Sequence, residues 1–305
     1  MLISKKLGGH MEHIFIVNPV AGKGKPLKFI PRIEGIFRKT GERYRIVLTE
    51  RPGHATLIAK EYAGRKDSRV YSVGGDGTLN EILNGMAGGN GSLAVIPGGS
   101  GNDFMRSICG NPAVEDILIR TVEGGEKLVD LATINDRYFI NISSIGFDAE
   151  VVANTNKYKR ISCLSGSLSY LAGVFETLFK YKSNFIKMVV DGKRMELRSL
   201  LAAVANGRYY GGGMKAAPRA EIDDGMLDLC VIEEKSRPEI LRFLPMFIKG
   251  RHGGIRGVHF FKGKHIEIEC DKEVPLNVDG EMHTIKKAVF RIIPRGIKIV
   301  VPSGC

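Results

Sequence analysis

Val70-Tyr71-Ser72-Val73-Gly74-Gly75-Asp76-Gly77-Thr78-Leu79-Asn80-Glu81-Ile82-Leu83-Asn84-Gly85 is the stretch that decides how the chain reads. Its first four residues form a compact strand-type run, and from Leu79 the sequence is helical in character. Gly-Gly-Asp-Gly-Thr stands between them. Glycines at a strand end let backbone approach a phosphate closely, and the following helix offers unpaired N–H groups to an anion. Asp76 adds a carboxylate suited to a Mg2+ ion that bridges nucleotide phosphates. Taken alone, these five residues also read as a plain strand-to-helix turn with Thr78 as the cap.

The same arrangement recurs on either side. Ile14–Val17 runs into Asn18-Pro19-Val20-Ala21-Gly22, and Leu93–Ile96 runs into Pro97-Gly98-Gly99-Ser100-Gly101-Asn102-Asp103-Phe104. Three Gly-rich loops after three strands would converge on one sheet edge, where a single polyphosphate could touch all of them. Arg45–Leu48 is a further strand. Helical stretches run to about Arg38 (interrupted by Pro31), near His54–Tyr62, from Leu79, and over Ala113–Val122. Continuously apolar strands alternating with helices predict a doubly wound, mainly parallel α/β sheet. GxxxxGK[ST] and GxGxxG are both missing, so the phosphate site follows neither the P-loop nor the standard dinucleotide design.

Beyond residue 135 the pattern changes to strand after strand, with alternating runs on both sides of an Asp191-Gly192 hairpin signal. That predicts a mostly antiparallel β-sandwich or barrel. Two stretches of helical spacing interrupt it, Leu168–Phe179 and Glu239–Lys249. The expected organisation is a loose extension over residues 1–10, a nucleotide-binding domain over 11–135, and a second domain over 136–287. Residues 288–305 are expected to return to the first domain.

Lys and Arg total 45 against 33 acidic residues, a formal charge of +12. That excess favours anionic partners. Nucleic acid is the weakest of these, since no helix-turn-helix or RNP-like pattern appears. The five cysteines (Cys109, Cys163, Cys230, Cys270, Cys305) form no CxxC pair, so reduced thiols are expected. No stretch is long and apolar enough to span a bilayer as a helix.

On these residues the chain resembles the diacylglycerol kinase catalytic domain family, which includes bacterial lipid kinases and the sphingosine and ceramide kinases. The matching pieces are NPVAGKGK, TERPGHA (49–55), GGDGTLNEILNG (74–85), PGGSGNDF (97–104), GFDAEV (146–151), ANGRYYGGGM (205–214), IDDGMLDL (222–229) and NVDGE (277–281). They follow family order over almost the whole chain. GGDGT alone is shared with NAD kinases; contiguous GGDGTLNE with GGSGNDF and a late VDGE is far more specific.

The resemblance implies an ATP-dependent lipid kinase with an NAD kinase-like first domain and a β-sandwich second domain, acting on diacylglycerol as the first choice of acceptor. It implies an ATP site lined by Asn18, Pro19, Val20, Ala21, Gly22, Thr49, Gly74, Gly75, Gly77, Thr78, Leu79, Asn80, Glu81 and Ser100. Family members more often carry Thr where Ser100 stands. Asp76 would organise the nucleotide-bound Mg2+, and Glu281 would be the general base that takes the proton of the lipid hydroxyl. A second, structural Mg2+ would be held by Asp224 through its side chain and by Glu221 and Met226 through their carbonyls. Without the resemblance, Glu281 reads as an exposed turn residue.

Residues 240–266 carry six Lys/Arg, three His and no acid, interleaved with FLPMFI and HFF, and residues 151–187 are similarly basic. Basic residues beside apolar helical faces suit docking on an anionic bilayer. Each helix also reads as core with a solvated basic rim. The expected setting is cytoplasmic with peripheral membrane contact, and a homodimer is allowed for. Phosphatidylglycerol or sphingoid acceptors, an NAD kinase and a non-catalytic nucleotide-binding regulator are the alternatives.

Overall fold

The Ile14–Val17 run becomes the buried end of β1 (Glu12–Val17), whose last five side chains are all shielded. A computed structural model describes residues 11–110, 114–147, 149–151, 176–177, 181 and 183–305. The helical stretch expected at Leu168–Phe179 lies almost wholly outside the described residues, as does the extension at 1–10. The chain divides into two units. One runs to Val129 and resumes over Arg295–Cys305; the other is Asp130–Pro294.

In the first unit β2 (Arg43–Leu48), β3 (Ser68–Gly74) and β4 (Ser92–Pro97) join β1 in a parallel sheet. β1 pairs with β2 on one side and β3 on the other, β3 pairs with β4, and Lys298 and Ile299 add a last parallel strand beside β4. β3 and β4 are buried at every position, which explains why they read as continuous apolar runs rather than alternating ones. The helices are α1 (Ile30–Thr40), α2 (His54–Ala63), α3 (Asp76–Met86), α4 (Asp103–Cys109) and α5 (Val114–Val122). Pro31 opens α1 instead of interrupting a helix, because the first turn has no use for its missing N–H. A 3-10 stretch, Ala21–Phe29, precedes it. Phe15 stacks on Tyr71 at 4.1 Å within the core. His13, also fully buried, bonds the Tyr71 hydroxyl through Nδ1 at 2.8 Å.

Cys109, at the end of α4, and Cys305 form a disulfide across 196 residues of sequence. Arg120 lies beside it, with Nη2 at 3.1 Å from the Cys305 sulfur and Nε donating to the Ser303 carbonyl. The expectation of reduced thiols is therefore corrected for this pair. Distant cysteines without a CxxC spacing give no sign of proximity until the last strand is known to return beside β4.

The second unit is antiparallel. β5 (Gly125–Ile134) leads into it and pairs with β6 (Arg137–Phe139); β7 (Ile142–Gly146) and β8 (Asn184–Val190) follow. β9 (Lys193–Ala205) and β12 (His265–Val278) each pair with β8 along one half and β7 along the other. Two long strands thus run through both layers, and the core lies between them: Ile186, Met188, Val204, Ile266, Ile268 and Leu276. β10 (Leu227–Glu233) pairs with β9 and with β11 (Val258–Gly263). Asp191 and Gly192 both take positive φ, as a two-residue hairpin between β8 and β9 requires. The two runs at AVFRII and IKIVV are one strand, β13 (Glu281–Val301).

α6 (Arg237–Ile248) closes the outer face of β9 and β10. Ser236 and Glu239 form a reciprocal capping box at its start. Ile240, Phe243 and Phe247 pack on Leu200, Ala203, Cys230 and Ile232. Leu229–Ile232 is an unbroken apolar run within β10 because Leu229 and Val231 face the sandwich core while Cys230 and Ile232 face α6.

Candidate active site

The strand order β2-β1-β3-β4 reverses direction between β1 and β3, and in such sheets ligands bind beyond the carboxyl ends of the strands at that point. The three Gly-rich loops leave β1, β3 and β4 there. Their backbones press on one another. A Cβ at Gly22 would collide with the Gly98 carbonyl, and one at Gly99 with the Gly75 Cα. Gly98 donates to the Gly74 carbonyl at 2.7 Å. Only glycine allows this approach, so the three loops become one closely packed surface.

Side chains lock it. Asn18 donates through its main chain to the Val73 carbonyl at 3.0 Å and through Nδ2 to the Thr78 hydroxyl at 3.0 Å, and its Oδ1 accepts from Val20 N–H. The first and second loops are thereby tied together. Asp76 ties the second to the third: its Oδ2 accepts the Asn102 amide and its Oδ1 the Asp103 amide, both at 2.9 Å. Asn102 in turn receives the Gly99 amide at 3.0 Å. Arg106 holds Asp103 at 3.1 Å and also donates to the Gly101 carbonyl. The Thr49 amide is anchored on the Val17 carbonyl at 2.9 Å.

Val20, Gly77 and Ser100 are exposed on these loops, whereas Leu79 and Asn80 are only 3% and 2% exposed. Asn80 accepts from Asn84, and the Glu81 carboxylate accepts the Ala55 amide at the start of α2. Residues 79–81 therefore build the wall behind the loops. Asn102, Asp103 and Arg106 were not singled out individually by the sequence reading, although PGGSGNDF contains the first two.

In the second unit, VDGE forms the turn between β12 and β13, with Asp279 and Gly280 at positive φ. Asp279 is 8% exposed and accepts three amides, from Ile140, Asn141 and Ile142, at 2.9–3.1 Å. Glu281 follows it. Its carboxylate pairs with Arg137 at 2.9 Å and lies 3.9 Å from His283 Nε2. Burial, and then the Arg137 charge, lower the His283 pKa. Glu281 is thus an oriented, partly exposed carboxylate in a short polar cluster. Arg137 and His283 carried no motif that could have announced them.

The expected metal loop looks different. Asp224 accepts the Met226 amide at 3.0 Å and the Lys262 ammonium at 2.6 Å, and Lys262 also lies 3.5 Å from Asp228. The Asp224 hydrogen bond raises the Lys262 pKa, so the ammonium stays charged, while burial raises that of Asp228. An ammonium already neutralises the carboxylate that was to hold Mg2+. The residues do not fit a divalent ion at Asp224, Glu221 and Met226 without displacing Lys262, and no role is derived through one. Asp76 is a different case. With both oxygens taken by amides, it suits a water-mediated contact with an ion better than direct ligation.

Residues 12–134 match the diacylglycerol kinase catalytic domain, and residues 141–301 match the YegS C-terminal NAD kinase beta sandwich-like domain. The chain is 30% identical over 293 residues to a diacylglycerol kinase of Bacillus subtilis, covering 94% of this chain and 95% of that one. It is 30% identical over 290 residues to one of Staphylococcus aureus strain MRSA252, covering 94% and 91%. A solved Bacillus anthracis structure described as a diacylglycerol kinase shares the fold, with a TM-score of 0.71 at 23% identity over 98% of this chain and 99% of that one. A catalytic domain and a sandwich domain in this order, over nearly the full length of such relatives, make this chain a member of the diacylglycerol kinase family and a lipid kinase.

Proposed function

We propose that the enzyme transfers the γ-phosphoryl group of ATP to the free hydroxyl of diacylglycerol, giving phosphatidic acid and ADP, at the surface of an anionic membrane. The observation that carries the nucleotide part is the interlocked surface of the three loops, held by Asn18 and Asp76. Phosphoryl transfer asks mainly for positioning and charge neutralisation. The packed loops after β1, β3 and β4 would supply the first. Mg2+, bound with the nucleotide, would supply the charge neutralisation, and Asp76 is the residue that would hold it, through water. The lipid oxygen attacks the γ-phosphorus, the bond to the β–γ bridging oxygen breaks, and Glu281 takes the hydroxyl proton. Val20, Gly22, Thr49, Gly75, Gly77, Thr78 and Ser100 would meet the nucleotide. The names of the relatives favour diacylglycerol as acceptor.

A competition assay settles the acceptor: γ-labelled ATP and the full chain, with diacylglycerol, phosphatidylglycerol and sphingosine together in mixed micelles, and NAD in solution. The label is expected in phosphatidic acid. Label in another lipid would replace the acceptor, and label in NAD alone would overturn the reading.

A further inference from the structure

α6 carries apolar residues on two faces, and the core uses only one of them. Ile240, Phe243 and Phe247 point inward and are buried. Leu241, Pro245 and Ile248, at i, i+4 and i+7 spacing, form a second, exposed stripe, and Leu244 beside it is half-buried and packs on the core. Leu241 is 50% exposed and Ile248 40%; Met246 on the same helix and Phe260 on β11 are 38% and 37% exposed. Phe260 is joined to the buried face of the helix through His252, whose ring lies tilted against both Phe247 and Phe260 at 4.9 and 5.3 Å. Four of the twelve large apolar side chains that are exposed among the described residues thus fall within a run of twenty residues. A helix whose only task was to cover β9 and β10 would carry polar residues on that outer stripe.

Cations flank the stripe. Arg242 and Lys249 sit next to it on the exposed side of the helix, and Arg251 and Arg256 follow in the next loop, all exposed. At the start of the helix a cavity of about 330 Å³ is lined by Arg198, Lys235, Arg237, Ser183 and Tyr181, with Glu234 the single acid among the described residues. Lys235 is held in place by the Arg256 carbonyl at 2.9 Å. The first-turn capping positions are already used by Ser236 and Glu239, so the charge of this pocket comes from side chains and not from the helix end.

We infer that α6 is the surface with which this enzyme docks on an anionic phospholipid bilayer. The stripe Leu241, Pro245 and Ile248 enters the boundary between headgroups and acyl chains. Arg242 and Lys249 stay at the phosphate level, and Arg198, Lys235 and Arg237 receive a headgroup phosphate. An apolar stripe bordered by Lys and Arg is what an in-plane interfacial helix requires. The inference rests on the lipid kinase reading for its choice of a bilayer over a protein partner.

The chain contains no tryptophan, so Leu241→Trp gives a single reporter. The test adds vesicles of phosphatidylcholine, alone or mixed with phosphatidylglycerol, to the full chain. Leu241→Trp fluorescence is expected to shift to the blue with phosphatidylglycerol present, whereas Leu57→Trp, an exposed position on α2, is expected not to shift. In co-sedimentation, Leu241→Ser is expected to weaken vesicle binding about tenfold, and Arg242→Gln with Lys249→Gln roughly fivefold per cation. Phosphorylation of a water-soluble short-chain diacylglycerol by these variants is expected to stay at the wild-type rate. Unchanged vesicle binding by both variants, or no spectral shift at 241, overturns the docking surface. Docking without phosphorylation of any lipid would instead overturn the kinase reading and leave the surface standing.

Discussion

Asp76 and Asp279 do the same work in different units. Each is a carboxylate that clamps main-chain amides of a neighbouring segment: two amides from residues 102 and 103 for Asp76, three from residues 140–142 for Asp279. In the first unit the clamp shapes the loops to which we assign the nucleotide, so in this proposal structure and function rest on one residue. In the second they are separated by two positions. Asp279 makes the turn, and Glu281 at its end is the residue to which we assign the chemistry. A short acidic motif in one chain can therefore be a binding element or a scaffold, and only the bonding of each oxygen tells which.

The comparison sharpens most at Glu281. Glu281→Gln keeps the shape and the hydrogen bond to Arg137 but removes the base, so turnover is expected to fall by roughly 10²–10⁴ with melting unchanged. Equal loss of turnover and of stability would make Glu281 another scaffold residue. For Asp279 the expectation reverses: Asp279→Ala leaves three buried amides without their acceptor and should cost about 3 kcal/mol or more of stability, read by urea unfolding. A variant as stable as wild type would dissolve the distinction drawn here.

His13 offers a comparison that needs no catalysis. Burial, with the Arg69 charge second, lowers its pKa to about 4. The ring is neutral in the folded protein, and the Glu42 carboxylate 3.3 Å from Nε2 does not offset that burial. The unfolded chain binds this proton near pH 6.5, the folded one only near 4. Stability from this group is therefore complete above pH 6.5 and lost as the pH falls towards 4, by about 3 kcal/mol. His13→Gln should flatten the unfolding free energy over that window; an unchanged slope would place the acid sensitivity elsewhere.

The smallest effect distinguishes two glycines of one motif region. A Cβ at Gly99 meets the Gly75 Cα, whereas nothing lies within 4 Å of one at Gly77. Gly99→Ala should loosen the loops by about 1–3 kcal/mol and raise the KM for ATP, and Gly77→Ala should change stability little. Equal KM values for the two variants would show that loop contact does not shape the nucleotide site.

Much of this was legible in the chain. β1, β3 and β4 are buried on both faces, so their apolar runs announced a covered parallel sheet, and the Gly-rich loops announced the strand ends at which three loops meet. The Asp191-Gly192 turn was readable because two positive φ values leave few residue choices. What stayed hidden depends on contacts remote in sequence. Cys109 meets Cys305, Lys262 meets Asp224, and Arg137 meets Glu281, and in each case the partners lie far apart in the chain. The outer stripe of α6 was hidden for another reason. Apolar residues at helical spacing look alike in sequence whether they face a core or water, and only burial separates Ile240 from Leu241.

The most direct measurement is the stoichiometry of the reaction itself: phosphatidic acid and ADP quantified together by mass spectrometry as the enzyme consumes MgATP with diacylglycerol in mixed micelles. The account predicts equal amounts of both products, with ADP formation dependent on the lipid. ADP released without phosphatidic acid, at the same rate with and without diacylglycerol, would contradict it.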